Sequence, residues 1–167
     1  MDGIDLAGIP MLASMPARAR DAVASMMDER AFPDGAVLMR QGDRLGGVFI
    51  VVSGCVGVER NLPTGGTVDL AKLGAGAVLG TLAALDGGAR GATVIARGPV
   101  RCAVLPRGAF IELMDGRTPV ALGFQVAVVR DLLRDVRATN RRLVEVASLP
   151  DQSLSLEDVT DRIYPAN

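Results

Sequence analysis

The stretch that decides the fold runs from Leu79 to Thr93 and reads LGTLAALDGGARGAT. A glycine turn ends an apolar run, and a short helix-compatible segment follows from Thr81 to Leu85. A glycine-rich turn then precedes Arg90 and Thr93. Backbone N–H groups at a turn and helix start attract anions, and an arginine fork and a hydroxyl add side-chain donors suited to phosphate. The pattern is compatible with a phosphate site. On these residues alone, however, a helical turn between two strands with a solvent-facing arginine is the favoured interpretation.

The same stretch resembles the phosphate-binding cassette of cyclic-nucleotide-binding domains, whose pattern is roughly F-G-E-L-A-L, a short loop and then R-x-A-T. The spacing from Gly80 to Arg90 resembles that of the kinase regulatory subunits. The matching residues are Gly80, Leu82, Ala83, Arg90, Ala92 and Thr93. One position departs from the pattern, because Thr81 stands where the family usually has a glutamate that grips the ribose hydroxyl.

The resemblance extends upstream of the cassette and covers roughly Pro10 to Ala147. Its further motifs are Phe32-Pro-Asp-Gly35, Leu38, Gln41-Gly-Asp43 and Val48 to Gly54, with Val56 and Val58 alternating beyond. Several ordered motifs at family spacing are more specific than one cassette. They imply a domain of the catabolite-activator or kinase-regulatory-subunit type, here expected to stand alone without a DNA-binding domain.

The arrangement of elements predicts an α+β, mainly β, fold. Short apolar runs separated by glycine turns are typical of a sandwich or barrel, and the resemblance narrows this to a double-stranded β-helix, or jelly roll, with flanking helices. We expect a first helix to begin at Ser14 and Pro16 and to end near Arg30, and a second short helix over Gly108 to Asp115.

A long C-terminal helix is predicted over 118–147, and its apolar residues recur at alternating spacings of four and three. Such a heptad pattern indicates a seam that pairs with a second helix, so we expect a homodimer. The seam residues are Leu122, Val126, Val129, Leu133, Val136, Asn140, Leu143 and Ala147. A second apolar edge, Ala121, Val128 and Leu132, could face the β-roll. The alternative is one helix buried broadly against its own domain.

In the resembling family this helix also presents polar side chains to the purine, and Thr139 and Asn140 are the candidates for that role, although Thr139 fits a plain helix surface equally well. The resemblance therefore implies a set of ligand-binding residues in the cassette and on the helix. These are Gly80, Thr81, Leu82, Ala83, Arg90, Gly91, Thr93, Thr139 and Asn140. The implied ligand is a cyclic nucleotide, cAMP or cGMP, or a related phosphate compound.

Composition excludes several other classes of function. The 167 residues are 49% hydrophobic with a net charge of -1, so no strong field favours nucleic acid or a membrane surface. The longest wholly apolar run, Val48 to Val52, is too short to span a bilayer, and the N-terminus lacks a signal-peptide pattern, so we expect a cytoplasmic protein. The abundance of arginine over the single Lys72 suggests a GC-rich bacterial genome.

Catalytic and metal chemistry have little support in the sequence. There is no histidine, which removes the commonest catalytic base and metal ligand, and no nucleophile, base and orienting group form a recognisable set. Cys55 and Cys102 both fall in apolar, strand-like runs and are predicted to be buried thiols rather than a bridge or a metal site. We therefore predict no enzyme, no cofactor and no metal.

The domain is predicted to occupy 1–149, followed by a short tail over 150–167. The tail has too few residues for a helix-turn-helix reader and an excess of acidic side chains, so DNA is not an expected partner. Two functions remain open. The first is a sensor that binds a cyclic nucleotide, with affinity lowered by the departure at Thr81, and signals through its long helix. The second is a degenerate fold that serves as a dimeric scaffold for an unknown protein.

Overall fold

The computed structural model of the chain describes residues 6–44 and 46–148. The helices are α1 (Ala17–Ala24), α2 (Thr81–Asp86), α3 (Arg107–Asp115) and α4 (Pro119–Ala147), with a 3-10 turn at Pro10–Leu12. The strands are β1 (Asp28–Phe32), β2 (Val37–Met39), β3 (Val48–Ser53), β4 (Val56–Asn61), β5 (Thr67–Leu73), β6 (Val78–Leu79), β7 (Thr93–Ala96) and β8 (Val100–Leu105). The predicted tail over 150–167 lies outside the described residues, so the proposed division at 149 stays a prediction.

The strands form two four-stranded sheets, and this confirms the predicted mainly β jelly roll. The first sheet has the order β1-β8-β3-β6 and the second has the order β2-β7-β4-β5. Every pairing is antiparallel, and consecutive strands repeatedly switch from one sheet to the other. The chain therefore winds as a roll rather than as a meander.

The central strand β3 of the first sheet is buried on both faces because it separates two hydrophobic cores. Side chains alternate along a strand, so Phe49 and Val51 of β3 point into the core between the sheets, while Val48 and Ile50 point into a core shared with the helices. This explains why Val48 to Val51 are all buried and why β3 reads as a continuous apolar run.

The helix α4 has two apolar faces, as its sequence predicted. Ala121 and Val128 are buried, and Leu132 packs against the same core, so this edge faces the body of the domain. Phe124 anchors it through an edge-to-face contact with Phe110 of α3, with ring centroids 5.8 Å apart. The heptad residues of the other face are exposed.

Among the described residues no helix combines the length and apolar character needed to cross a membrane.

The first helix differs from its prediction at both ends. Ser14 forms no capping bond, Pro16 is the N-cap, and the helix ends at Ala24 rather than near Arg30. The reason is tertiary: Asp28 to Phe32 pair with β8 as an antiparallel strand, and Glu29 forms an ion pair with Arg101 at 2.6 Å. A strand that completes a sheet edge satisfies more backbone groups than a frayed last helical turn would.

The prediction for the cysteines holds for one thiol and fails in part for the other. Cys102 lies in β8 and is buried, and burial raises the pKa of its thiol to about 11. Cys55 is half-buried in the turn between β3 and β4, because the glycine before it ends the strand earlier than the apolar run suggested. Both thiols are free.

Candidate functional site

The cassette is a strand, a tight turn and a short helix. Leu79 ends β6 against Phe49 of β3, and Gly80 then turns the chain into α2 with φ of 84°, a left-handed conformation that disfavours a side chain. Thr81 is therefore the first residue of α2, as predicted, and its side chain is buried at 8% exposure. The turn fixes where the helix starts relative to the sheet.

Arg90 is the centre of the site, and it does not face solvent. Its side chain is 4% exposed, and its two terminal nitrogens donate to backbone carbonyls on either side. Nη1 donates to the oxygen of Gly80 at 2.7 Å, and Nη2 donates to the oxygen of Gly47 at 2.6 Å. These bonds fix the plane of the guanidinium while leaving further N–H donors of the group for another acceptor.

The Arg90 guanidinium can occupy this buried position because the neighbouring glycines carry no side chain. A Cβ at Gly80 would overlap Nη1 of Arg90, and one at Gly46 would lie 2.7 Å from Nη2. The guanidinium therefore occupies a slot between the start of α2 and the loop before β3. Because the slot is bordered by backbone, it has little room to relax.

Burial and a nearby carboxylate act on this charge in opposite directions. Burial lowers the pKa of the Arg90 guanidinium from its ordinary value, and the Asp43 carboxylate opposes that effect by raising it. An arginine remains protonated at neutral pH despite such a shift. A desolvated, oriented cation is thus present, and an anion arriving from solvent would meet it in a medium that screens charge less than water does.

The backbone around Arg90 is held by the loop that follows β2. The Arg90 N–H donates to the oxygen of Asp43 at 2.8 Å, and the Gly42 N–H donates to the oxygen of Arg90 at 2.9 Å. Thr93 is held from the same loop, because the Gln41 N–H donates to its Oγ1 at 3.0 Å. This bond uses the hydroxyl of Thr93 as an acceptor and leaves its own hydrogen to be donated elsewhere.

The structure brings together only part of the predicted ligand-binding set. Gly80, Thr81 and Ala83 lie at the start of α2, where Gly80 accepts a bond from the Arg90 guanidinium. Thr93 is connected to Arg90 through the segment 41–43, which bonds to both residues. Leu82 is 66% exposed and Gly91 is also exposed, so both border the cluster from the solvent side. In the described part of the chain, no hydrogen bond connects the cassette with Thr139 or Asn140, which lie exposed on α4 beyond its last residue packed on the core, Leu132. Their contact with a purine stays a prediction.

Several contributing residues were missed by sequence reasoning. Gly46 and Gly47 border the slot, and the Gln41 N–H donates to the Thr93 hydroxyl. Asp43 accepts the Arg90 N–H and places a carboxylate near the guanidinium. The motif Gln41-Gly-Asp43 was recognised as part of the resemblance, but nothing in its spacing indicated that it contacts residues some fifty positions later. The contact between Gln41 and Thr93 is visible only in the folded chain.

Comparison with known proteins gives the family. The family model described as the cyclic nucleotide-binding domain matches residues 29–117, more than half of the chain. The chain belongs to the cyclic nucleotide-binding domain family. Among the residues that the structure describes, no group of three or more His, Cys, Asp or Glu side chains converges on a metal site.

Relatives of this cyclic nucleotide-binding domain include regulatory proteins. The chain is 32% identical over 106 residues to the cAMP-dependent protein kinase regulatory subunit of Blastocladiella emersonii, a match that covers 64% of this chain and 26% of the relative. Only about a quarter of that relative's length is therefore represented here.

Two solved structures illustrate the fold relationship. The regulatory domain of Toxoplasma gondii PKA, crystallised with cAMP, is 30% identical with a TM-score of 0.65, over 80% of this chain and 47% of that one. The regulatory subunit of a cAMP-independent protein kinase A from Trypanosoma brucei is 25% identical with a TM-score of 0.69, over 85% of this chain and 48% of that one. The same fold is thus found in proteins described as cAMP-bound and as cAMP-independent.

The slot of this cyclic nucleotide-binding domain can be tested by substituting glycine. Gly80→Ala and Gly87→Ala both place a side chain at positive φ, 84° and 69° respectively, which costs about 1–2 kcal/mol. Only Gly80→Ala also displaces Arg90 from its carbonyl partners, since the new Cβ at Gly87 would meet the exposed, movable Arg107 side chain. Bonds to a charged group contribute ~1.5–3 kcal/mol each.

We therefore expect the free energy of unfolding in urea to fall by about 1–2 kcal/mol for Gly87→Ala and by roughly 3 kcal/mol or more for Gly80→Ala. Equal losses in the two variants would contradict the slot as described.

Proposed function

We propose that the chain is a regulatory module that binds a cyclic nucleotide, cAMP or cGMP, at the cassette formed by α2, Arg90 and Thr93. The observation that supports this most is the position of Arg90, which is buried and oriented by two carbonyls. Thr93 follows it in the chain, and its hydroxyl accepts the Gln41 N–H while keeping a hydrogen to donate. The two carbonyls use only part of the donor capacity of the guanidinium, and its further N–H donors suit the oxygens of an anion. An anion with several acceptor oxygens would complete the hydrogen bonding of both side chains.

The phosphate of a cyclic nucleotide suits this cluster chemically. It carries a negative charge and oxygens spaced to receive the fork of a guanidinium, and a charged bond of this kind is roughly twice as strong as a neutral one. Because the slot already fixes the guanidinium, little side-chain entropy is lost when the anion binds. The role is regulatory rather than enzymatic, in keeping with the regulatory proteins to which the chain is related.

The substitution at Thr81 sets the expected strength of binding. A glutamate at this position would accept the ribose hydroxyl with a charge-assisted bond, which contributes ~1.5–3 kcal/mol. The absence of this glutamate weakens cyclic nucleotide binding by roughly ten- to a hundredfold. The phosphate contacts do not depend on Thr81, so binding is weak rather than abolished.

A second candidate function is a dimeric scaffold that retains the fold without the ligand. The buried position of Thr81 favours it, because a pocket reshaped around a small residue would not accept a ribose. The exposed apolar face of α4 is compatible with either function. Titration with nucleotides distinguishes the two.

We also propose that α4 forms a homodimer through its exposed face. The large apolar side chains of the seam are between 47% and 56% exposed in the single chain, which is costly for six residues on one helix. They are Leu122, Val126, Val129, Leu133, Val136 and Leu143. A second copy covers the same face symmetrically, and Asn140 within it fixes the register. Ligand occupancy would then bias the position of α4 and transmit the signal to a protein partner.

The nucleotide hypothesis is tested by calorimetric titration of cAMP and cGMP into the unmodified protein, Thr81→Glu and Thr81→Val. We expect Thr81→Glu to bind one of the nucleotides roughly ten- to a hundredfold more tightly, because the carboxylate gains the ribose hydroxyl at the start of α2. Thr81→Val keeps the shape of threonine and is the matched control, so its affinity should remain near that of the unmodified chain. No binding by any of the three proteins would favour the scaffold.

The dimer hypothesis is tested by charged substitutions on α4. Val129→Glu combined with Val136→Glu should give a monomer in sedimentation velocity, because each new charge would be buried against its own copy. Ala138→Glu lies on the opposite side of the helix and is the control, which should leave the dimer intact. A monomer for the unmodified chain would refute the proposal.

A further inference from the structure

Gln41 bonds to two parts of the molecule that are distant in sequence. Its side-chain amide forms a reciprocal pair with the backbone of Asn61, the last residue of β4. Nε2 of Gln41 donates to the oxygen of Asn61 at 3.2 Å, and the Asn61 N–H donates to Oε1 of Gln41 at 2.7 Å. Both hydrogen-bonding faces of the amide are thus used by one residue of the hairpin between β4 and β5.

The hairpin end that Gln41 holds is itself well connected. Asn61 is paired with Thr67 across the hairpin, and Oγ1 of Thr67 donates to Oδ1 of Asn61 at 2.9 Å. The loop beyond is closed by the Leu62 N–H, which donates to the oxygen of Gly66 at 3.0 Å. A displacement of Asn61 would therefore move the tip of the hairpin with it.

The backbone of the same short segment bonds to the hydroxyl of Thr93 and to the backbone of Arg90. The Gln41 N–H orients the hydroxyl of Thr93, and Gly42 and Asp43 exchange backbone hydrogen bonds with Arg90 on both sides. Besides these bonds to the cassette, the segment is held by a turn bond from the Asp43 N–H to the oxygen of Arg40 at 3.2 Å and by the side-chain anchor at Asn61. The cassette and the hairpin are thus joined through three consecutive residues.

We infer that Gln41 is a positioning residue that couples the anion-binding side chains Arg90 and Thr93 to the β4–β5 hairpin, so that the order of one depends on the other. Gln41 does not itself contact the ligand. Its amide fixes the segment 41–43, and that segment sets the orientation of Thr93 and the backbone of Arg90. The inference rests on the proposed function only for its effect on nucleotide affinity.

The test compares amide hydrogen exchange, without nucleotide, in the unmodified protein, Gln41→Ala and Gln125→Ala. Gln125 is the matched control, because its Nε2 also donates to two backbone carbonyls, those of Leu113 at 2.9 Å and Gly116 at 2.8 Å, but at the α3–α4 junction. We expect Gln41→Ala to accelerate exchange about tenfold at Asn61 and also at Gly42 and Arg90, and Gln125→Ala to leave these three amides unchanged. Gln41→Glu, which keeps an acceptor for the Asn61 N–H, should give an intermediate acceleration.

The inference is overturned if Gln41→Ala accelerates exchange at Asn61 alone, since Gln41 would then be only a hairpin anchor. In a second step, cAMP is titrated calorimetrically into the same proteins, and we expect about tenfold weaker binding for Gln41→Ala and no change for Gln125→Ala. If the unmodified protein binds neither cAMP nor cGMP, the proposed nucleotide function is contradicted, whereas the exchange at Gly42 and Arg90 still decides the role of Gln41.

Discussion

The bonds from the Arg90 guanidinium to the carbonyls of Gly47 and Gly80 are the constraint on which the rest of the site depends. They join the loop before β3 to the turn that starts α2, two segments that belong to different parts of the roll. A buried cation requires partners for its donors, and here the backbone supplies them. The glycines around the slot follow from this requirement, because a side chain at Gly80 or Gly46 would compete with the guanidinium for space.

The arrangement of two cores explains how such a polar slot is supported. The first sheet is covered on one face by the second sheet and on the other by the helices. Val48 to Val51 of β3 are buried, and so is every residue of β8 except Arg101. The slot lies where the chain leaves the first sheet, before β3 and after β6. Rigid flanking strands allow the loops to hold a charged side chain in one orientation, which is what recognition of a planar, charged ligand group requires.

Much of this was predictable from the sequence, and the reasons differ from element to element. Short apolar runs between glycine turns predicted a sandwich or barrel, and the family resemblance narrowed this to the jelly roll. The spacing of apolar residues predicted that α4 has two apolar faces, because a helical pattern is local and periodic. The first helix was predicted too long, since Met26 and Met27 suit a helix face as well as the entry into β1, and only pairing with β8 decides between them. The burial of Arg90 was not predictable from a glycine-rich turn alone. The partners at Gly47 and the link from Gln41 to Asn61 depend on contacts between distant segments, which no local pattern reports.

Nitrogen-15 NMR of the Arg90 guanidinium shows whether this side chain is an oriented anion-binding group in the folded protein. Because the group is buried and both Nη groups donate to carbonyls, its Nη hydrogens should give slowly exchanging signals, identified by their absence in Arg90→Lys and their presence in the matched control Arg101→Lys. We expect these signals to be visible without nucleotide and to shift progressively as cAMP or cGMP is added. A guanidinium signal that is unchanged at saturating concentrations of both nucleotides, or that is averaged with solvent in the unliganded protein, would contradict this expectation.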